Sequence, residues 1–169
     1  TNKWRGQNPL INEYFVAQNS FTISVEDATK KLPFKLPKGL TKDKIQQSGS
    51  FPVVSQGKEL IVGYSDNSSL LVSEELPLIV YGDHSKTIKY IDFPFVIGAD
   101  GVKLLKPIDE IDPKFFYYCL KGIEVDTKDY GRHYGLIKKK VIAIPNSILN
   151  QKKVVNFFED LENNCLKKD

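Results

Sequence analysis

The 169-residue sequence contains no methionine and few of the residues that most often bind metals or form covalent cross-links. It has two cysteines, Cys119 and Cys165, and two histidines, His84 and His133. No CxxC pair is present, so the ligands that zinc sites usually need are too few. Two cysteines cannot form a disulfide framework and indicate a reducing compartment. We therefore expect neither a zinc site nor a disulfide-stapled fold.

Long hydrophobic runs and targeting segments are also missing. No apolar run reaches the ~18–20 residues that a membrane span requires, and no basic-plus-apolar leader opens the chain. We expect a cytoplasmic protein with no membrane association. Because a translated chain normally begins with methionine, the sequence also predicts a piece of a longer polypeptide or a processed chain.

The sequence lacks the motifs of the common enzyme classes. It contains no GxxxxGK[ST] phosphate-binding loop and no GxSxG nucleophile elbow. Residues 8–11 (NPLI) share only two positions with the Asn-Pro-Pro-aromatic loop of amino methyltransferases, and no glycine-rich cofactor loop accompanies them. We predict a binding module without catalytic residues and without a bound cofactor.

The charge is nearly balanced, with 24 basic and 21 acidic residues and a net charge of +3. A strongly basic surface is the usual footprint of nucleic-acid binding, so this small excess alone does not indicate it. It does not exclude it either, because a DNA reader that works beside a basic partner need not be strongly basic itself.

Short apolar runs predict many strands. These runs are residues 15–17, 21–25, 52–55, 59–64, 77–81, 87–91, 93–97, 102–105 and 138–144. Asp100-Gly101 lies between two of them and predicts a hairpin that joins residues 93–97 to residues 102–105. Residues 24–31 could alternatively begin a helix, and residues 1–49 as a whole are poorly assigned.

Two helices are predicted near the end of the chain. Asp112 is a suitable N-cap, Pro113 suits the first helical position, and Gly122 ends the first helix. The second helix begins at Asn146 or Ser147 and runs to about residue 168. Its predicted apolar face is Leu149, Val154, Phe157, Phe158, Leu161 and Leu166. Many strands with few helices predict the α+β class, as a twisted, mostly antiparallel multi-stranded sheet.

Three polar segments carry groups that can contact DNA. Residues 55–58 (SQGK) offer hydroxyl, amide and ammonium groups, and an amide can pair with adenine in the major groove. Residues 82–87 (GDHSKT) place several donors on another strand connection. Residues 128–134 (KDYGRHY) interleave cations with aromatics, as suits phosphate binding with stacking.

Each segment also has a purely structural interpretation. Gln56-Gly57 could be a hairpin tip. Asp83 could accept backbone N–H groups in an Asx-turn, with His84 packed on a tyrosine. Residues 132–134 could be an ordinary solvated loop. Outside these three segments, residues 138–140 (KKK) could be one exposed strand face, and the aromatics of residues 115–118 have the spacing of a helix core.

The order of several motifs resembles the target recognition domains of type I restriction–modification specificity subunits. The similar runs are residues 51–57 (FPVVSQG), 61–64 (IVGY), 79–84 (IVYGDH), 89–95 (KYIDFPF), 99–102 (ADGV), 130–134 (YGRHY), 142–145 (IAIP) and 150–155 (NQKKVV). The resemblance covers about residues 50–161. Two features depart from the family pattern. Asn146-Ser147 follows Pro145 where the family has a second proline, and Asn150 stands where the family usually has a glutamate. Both departures lie at the start of the last helix.

The resemblance implies a role and a division of the chain. Residues 1–145 would be the target recognition domain, and residues 146–169 would begin a conserved spacer helix that leads into a coiled coil. The domain would read one half of a split double-stranded DNA site. It would direct a methyltransferase subunit, which uses S-adenosylmethionine to methylate adenine, and a restriction subunit. The spacer helix would pair with a second copy or a second recognition domain.

The residues and the resemblance together predict the DNA contacts. Those near bases are Ser55, Gln56, Lys58 and Tyr64, with His84, Ser85 and Lys86 on the same face. Those that hold phosphates or reach the groove edge are Lys128, Tyr130, Arg132, His133 and Lys138.

Two other functions stay open on the sequence. The same domain also occurs as the C-terminal part of fused methyltransferase–nuclease chains, which the sequence upstream of Thr1 would reveal. A β-rich domain that binds proteins or carbohydrates, with no nucleic-acid partner, is the third hypothesis.

Overall fold

The structure is a computed structural model, and it describes residues 20–98, 101–124 and 133–166. Its strands are β1 (Ser20–Ser24), β2 (Thr29–Lys30), β3 (Phe51–Val54), β4 (Gly63–Ser65), β5 (Leu71–Val72), β6 (Leu78–Gly82), β7 (Ile88–Ile91), β8 (Phe95–Ile97), β9 (Val102–Pro107) and β10 (Val141–Pro145). Its helices are α1 (Pro113–Lys121), α2 (Tyr134–Ile137) and α3 (Ile148–Leu166). Short 3-10 turns occur at Lys42–Lys44 and Ser68–Leu70. Among the described helices, none is long and apolar enough to cross a membrane.

The chain divides into two units that are not contiguous in sequence. Among the described residues, unit 1 contains 20–29, 107–124 and 137–166, and unit 2 contains 30–98, 101–106 and 133–136. The larger segment of unit 2 is therefore inserted between the first and second segments of unit 1, and its residues 133–136 lie between the second and third.

Unit 1 joins a two-stranded ribbon to a pair of helices. Strand β1 pairs antiparallel with β10, from Ser20 opposite Pro145 to Ser24 opposite Val141. Helix α1 contacts α3 through Tyr118, whose ring stacks on Phe158 with centroids 5.0 Å apart. The Tyr118 hydroxyl also donates to the Glu162 carboxylate at 3.0 Å. Of the aromatics predicted to be core residues, Phe115, Phe116 and Tyr118 are buried, whereas Tyr117 is half-buried.

The start of α1 confirms the prediction from its capping residues. The Asp112 carboxylate accepts the N–H groups of Lys114 and Phe115, both at 2.9 Å. These donors have no partner within the helix, because the first turn of any α-helix leaves its N–H groups unpaired. The Gly122 N–H donates to the Tyr118 carbonyl and closes the last turn.

One buried amide fixes the start of α3. Gln151 is fully buried, and its Oε1 accepts the Asp112 N–H at 2.7 Å. Its Nε2 donates to the carbonyls of Glu110 and Pro145, both at 2.9 Å. A single side chain therefore joins the helix to the cap of α1 and to the end of β10.

The predicted apolar face of α3 is wrong in part. Leu149 is 64% exposed and Leu161 is 44% exposed, whereas Val154 and Val155 are buried. The buried stripe begins at Gln151 and continues at helical spacing through these valines. The sequence pattern misplaced the face because the residue at its start is an amide rather than a leucine.

Unit 2 contains two four-stranded sheets, ordered β4-β3-β8-β5 and β2-β9-β6-β7. Strand β3 pairs antiparallel with β4, β5 with β8, and β6 with both β7 and β9, whereas β3 and β8 are parallel. One side-chain cluster forms much of the core. Its buried members are Val54, Val72, Leu78, Val80, Ile91, Phe95, Ile97 and Leu104. The predicted α+β class with mostly antiparallel pairing is confirmed.

Two predictions about the strands of unit 2 are wrong. The Asp100-Gly101 hairpin does not form, because β8 pairs with β3 and β5, whereas β9 pairs with β6. The predicted strand at residues 59–64 reduces to Gly63–Ser65. Residues 55–62 instead form a loop on which Leu60 and Ile61 are exposed. The two-residue strand β5 gave no sequence signal.

Candidate nucleic-acid interface

Two of the predicted DNA-contacting segments meet in unit 2. Gln56 lies just after β3, and residues 83–87 connect β6 to β7. The Gln56 Oε1 accepts the His84 N–H at 3.1 Å. The hydroxyls of Ser85 and Thr87 both donate to the Gln56 carbonyl oxygen. Gln56, His84 and Ser85 are therefore held in one cluster, which we call the Gln56 cluster, together with Thr87.

A glycine permits this close approach. A Cβ atom at Gly82 would lie 2.1 Å from the Ser85 Oγ and 2.9 Å from the Gln56 Cβ. Both distances are far below van der Waals contact, so a side chain here would displace the segments from each other. Gly82 is buried at the end of β6.

A buried lysine holds the loop of residues 55–62. Lys89 on β7 is 6% exposed, and its Nζ donates to the carbonyls of Ser55 and Glu59, both at 2.5 Å. Burial lowers the pKa of Lys89, and the negative charge of Glu59 opposes that shift. The two bonds fix both sides of the turn on which Lys58 is exposed. This role could not be predicted from the sequence, because Lys89 has the pattern of an outward-facing position on an alternating strand.

Asp83 connects the end of β6 to the start of α2. It is 3% exposed, and its Oδ1 accepts the Tyr134 N–H at 2.8 Å. Its carbonyl accepts the His133 N–H at 2.9 Å. The bond from the Tyr134 N–H to the Asp83 carboxylate therefore joins distant segments of the chain, unlike the local Asx-turn of the alternative interpretation. His133 is only 4% exposed, so the structure places this predicted contact in the interior.

The other residues predicted to contact DNA lie outside the Gln56 cluster or outside the described part of the chain. Ser55 and Tyr64 are half-buried, and Tyr64 pairs its backbone with Gln46. Lys86 is half-buried, with a φ of 59°, and donates its N–H to the Gly82 carbonyl. Lys138 belongs to unit 1 and donates to the Glu26 carboxylate at 2.8 Å. Lys128, Tyr130 and Arg132 lie outside the described residues.

Strand β6 also carries a buried phenol, directly before Gly82 in the chain. Tyr81 is 1% exposed, and its hydroxyl has no hydrogen-bond partner among the described residues. Burial and, to a lesser extent, the negative charge of Asp83 raise the pKa of Tyr81 to about 12. The Tyr81 ring lies 5.9 Å from that of Tyr134, centroid to centroid.

Tyr81→Phe tests this environment. Between pH 10 and about 12 the unfolded chain releases a phenol proton that the folded protein keeps, so the free energy of unfolding falls as pH rises. The variant should lose less stability over that interval. At pH 7 its free energy of unfolding should be unchanged or higher by up to about 1 kcal/mol, because no hydrogen bond in the described part is lost.

Urea unfolding at pH 7 and pH 11 measures both effects. Tyr90→Phe, on a half-buried ring of β7, controls for removing a hydroxyl. A large loss of stability at pH 7 in the Tyr81 variant alone would show that the hydroxyl has a strong partner.

Within the described residues, no group of three or more histidine, cysteine, aspartate or glutamate side chains could hold a metal ion. The side chains of the Gln56 cluster and of Lys58 offer hydroxyl, amide and ammonium groups. Such groups bind polar ligands by hydrogen bonds and charge.

No protein-family model matches the sequence, and no curated protein matches it. Solved structures do. The S subunit of a type I restriction–modification system from M. genitalium aligns over 95% of this chain and 45% of its own, with a TM-score of 0.68 and 21% identity. The HsdS subunit from Thermoanaerobacter tengcongensis aligns over 86% and 38%, with a TM-score of 0.54 and 9% identity.

A third solved chain comes from a study of complex assembly and conformational transition in the type I restriction–modification system. It aligns over 88% of this chain and 40% of its own, with a TM-score of 0.60 and 10% identity. The chain thus spans less than half the length of the solved chains it matches. At these identities the likeness establishes architecture, and this chain has the fold of the specificity subunits of type I restriction–modification systems.

Proposed function

We propose that this chain is a non-catalytic DNA target recognition domain that reads one half of a split site. The observation that carries the proposal is the Gln56 cluster, which joins two sequence-distant polar segments on the fold of specificity subunits. Sequence-specific recognition needs polar groups held in a fixed geometry, because base edges differ only in the positions of donors and acceptors.

The contacts distinguish side chains that position the Gln56 cluster from side chains, in the cluster and on the adjoining loop of residues 55–62, that can contact DNA. The Gln56 carbonyl and Oε1 both accept bonds from residues 84–87, so Gln56 acts mainly by positioning that segment. The Ser85 hydroxyl and the Lys58 ammonium belong to exposed residues. We assign these two side chains to DNA contact, with Lys58 on a phosphate.

The wider role follows from the same proposal. The domain would direct a methyltransferase subunit that methylates adenine with S-adenosylmethionine, and in the full complex a restriction subunit, in the cytoplasm. Helix α3 would begin the spacer at about residue 146 and pair with a second spacer helix. A fixed distance between two recognition domains combines two short half-sites into one long, specific DNA site.

Selection from a pool of randomised DNA duplexes at low salt tests the proposal. We expect a recurring motif of ~3–5 base pairs, because a single domain contacts only a short DNA sequence. Low salt is needed because one domain makes few phosphate contacts and its affinity falls as salt rises. No enrichment, with or without the methyltransferase subunit, would overturn the DNA-reading proposal in favour of a protein-interaction domain.

Lys58→Ala should weaken binding to all duplexes alike and lower the salt slope of log affinity by about 1, because one phosphate contact is lost. The measurement is a salt titration of affinity on the selected duplex and on an unselected one. Lys35→Ala removes an exposed lysine of unit 2 outside the two segments and is the matched control. Equal salt slopes for wild type and Lys58→Ala would remove Lys58 from the interface.

A further inference from the structure

A cavity of about 670 Å³ opens beside the loop of residues 55–62. Its volume lies within the ~300–1,000 Å³ typical of small-ligand sites. Ile45 and Val62 give it apolar walls, whereas Lys42, Gln46 and Gln47 contribute an ammonium and two amides. The sequence offered no role for residues 41–50 beyond that of a polar loop.

The wall that carries these polar groups is anchored to the β4-β3-β8-β5 sheet. The Leu40 N–H donates to the Ile97 carbonyl at 2.8 Å. Gln46 and Tyr64 exchange two backbone hydrogen bonds, at 2.9 and 2.8 Å. Ile45 packs against a buried cluster that includes Leu40 and Val53. The backbone that presents Lys42 and Gln47 is therefore fixed on both sides.

The cavity continues the proposed DNA surface. Ser55 lines it and directly precedes Gln56 in the chain. Lys42 and Gln47 are exposed at the cavity. The Gln46 Oε1 instead faces Gly49, where an added Cβ would lie 3.1 Å from it. Gln47 is thus the amide best placed to contact a ligand in the cavity.

We propose, resting on the DNA-recognition function above, that this cavity takes one nucleotide of the target DNA and makes residues 42–47 a third reading segment. The Gln47 amide pairs with the edge of an adenine, because its carbonyl oxygen can accept from the N6 amino group while its N–H donates to N7. Lys42 contacts a phosphate, and Ile45 and Val62 contact the apolar surface of the sugar or base.

Gln47→Glu provides the sharpest test. A carboxylate accepts from the N4 amino group of cytosine and cannot donate to adenine N7. One position of the selected motif should therefore change from adenine to cytosine, with a preference of at least about 5-fold, the lower end of a good base contact. Gln47→Ala should relax that same position without a new preference.

The control is Asn156→Ala, which removes an exposed amide on α3 and should leave every position unchanged. Gln47 is exposed, so its variants should fold, and thermal unfolding midpoints verify this. Lys42→Ala should lower the salt slope without altering the motif.

Two outcomes separate this inference from the proposed function. If wild type selects a motif and both Gln47 variants select it unchanged, the third segment is overturned while DNA recognition stands. If wild type selects no motif, both are overturned. Binding of free deoxyadenosine monophosphate as tightly as duplex, with unchanged duplex preference in Gln47→Glu, would assign the cavity to a free nucleotide and overturn the inference.

Discussion

Replacing Gln151 by methionine should lower the free energy of unfolding by about 3–5 kcal/mol. The substitution keeps a side chain of similar length but leaves the Asp112 N–H and the carbonyls of Glu110 and Pro145 without their partner. A buried polar group that loses its hydrogen bond costs about 1–3 kcal/mol. Gln151 is fully buried, so water can replace the lost bonds only after local rearrangement.

Urea unfolding followed by circular dichroism measures the loss. Asn156→Ala, on the exposed side of the same helix, should change stability by no more than about 0.5 kcal/mol and is the control. Gln151→Glu retains one acceptor oxygen but buries a carboxylate, so it should be at least as damaging at pH 7. A loss below about 1 kcal/mol for methionine would show that the three bonds contribute little.

Gly63→Ala should cost about 2–4 kcal/mol. Gly63 has a φ of +149°, a conformation that residues with a Cβ rarely adopt. An added Cβ would lie 2.3 Å from the Ile45 Cγ2 and 2.6 Å from the Gln46 carbonyl oxygen. Because the second contact is with backbone, the clash can be relieved only by opening the Gln46–Tyr64 backbone bridge. Overpacking of this kind costs about 1–3 kcal/mol, and the strained φ of an alanine at position 63 adds to that cost.

The matched control is Gly57→Ala, because an added Cβ at this exposed position meets nothing within 4 Å. Thermal and urea unfolding of the two variants should differ clearly. DNA selection with Gly63→Ala should also lose the adenine preference assigned to Gln47, since the wall of the cavity moves. Equal stability of the two glycine variants would contradict this account of the Gln46–Tyr64 bridge.

Local signals in the sequence predicted α1, α3 and several of the longer strands correctly, whereas the short helix α2 was not predicted. Asp112, Pro113 and Gly122 delimit α1 because capping depends only on neighbouring residues. Long-range pairing was not predictable in this way. Asp100-Gly101 favours a local hairpin, but β8 and β9 belong to different sheets. No residues near this turn indicate which strands β8 and β9 pair with.

In the candidate site, too, local residue chemistry was predictable from the sequence and long-range contacts were not. Polar residues at 55–58 and 82–87 drew attention by their chemistry, and the structure brings Gln56 and Ser85 together. The contribution of Lys89 could not be predicted, because its acceptors are backbone carbonyls 34 and 30 positions away. Burial of His133 likewise depends on Asp83, which is distant in sequence.

The insertion of unit 2 into unit 1 has a consequence for the order of folding. Residues 25–140 separate β1 from β10, so pairing these strands in an unfolded chain closes a long loop. Strands β2 and β9 are neighbours in one sheet, so prior folding of unit 2 brings residues 30 and 106 together and shortens that loop. The saving in closure entropy is about 1 kcal/mol. The ribbon of β1 and β10 should therefore gain hydrogen-exchange protection after the strands of unit 2, and folding of the inserted segment would assist pairing of the unit 1 strands that flank it in sequence.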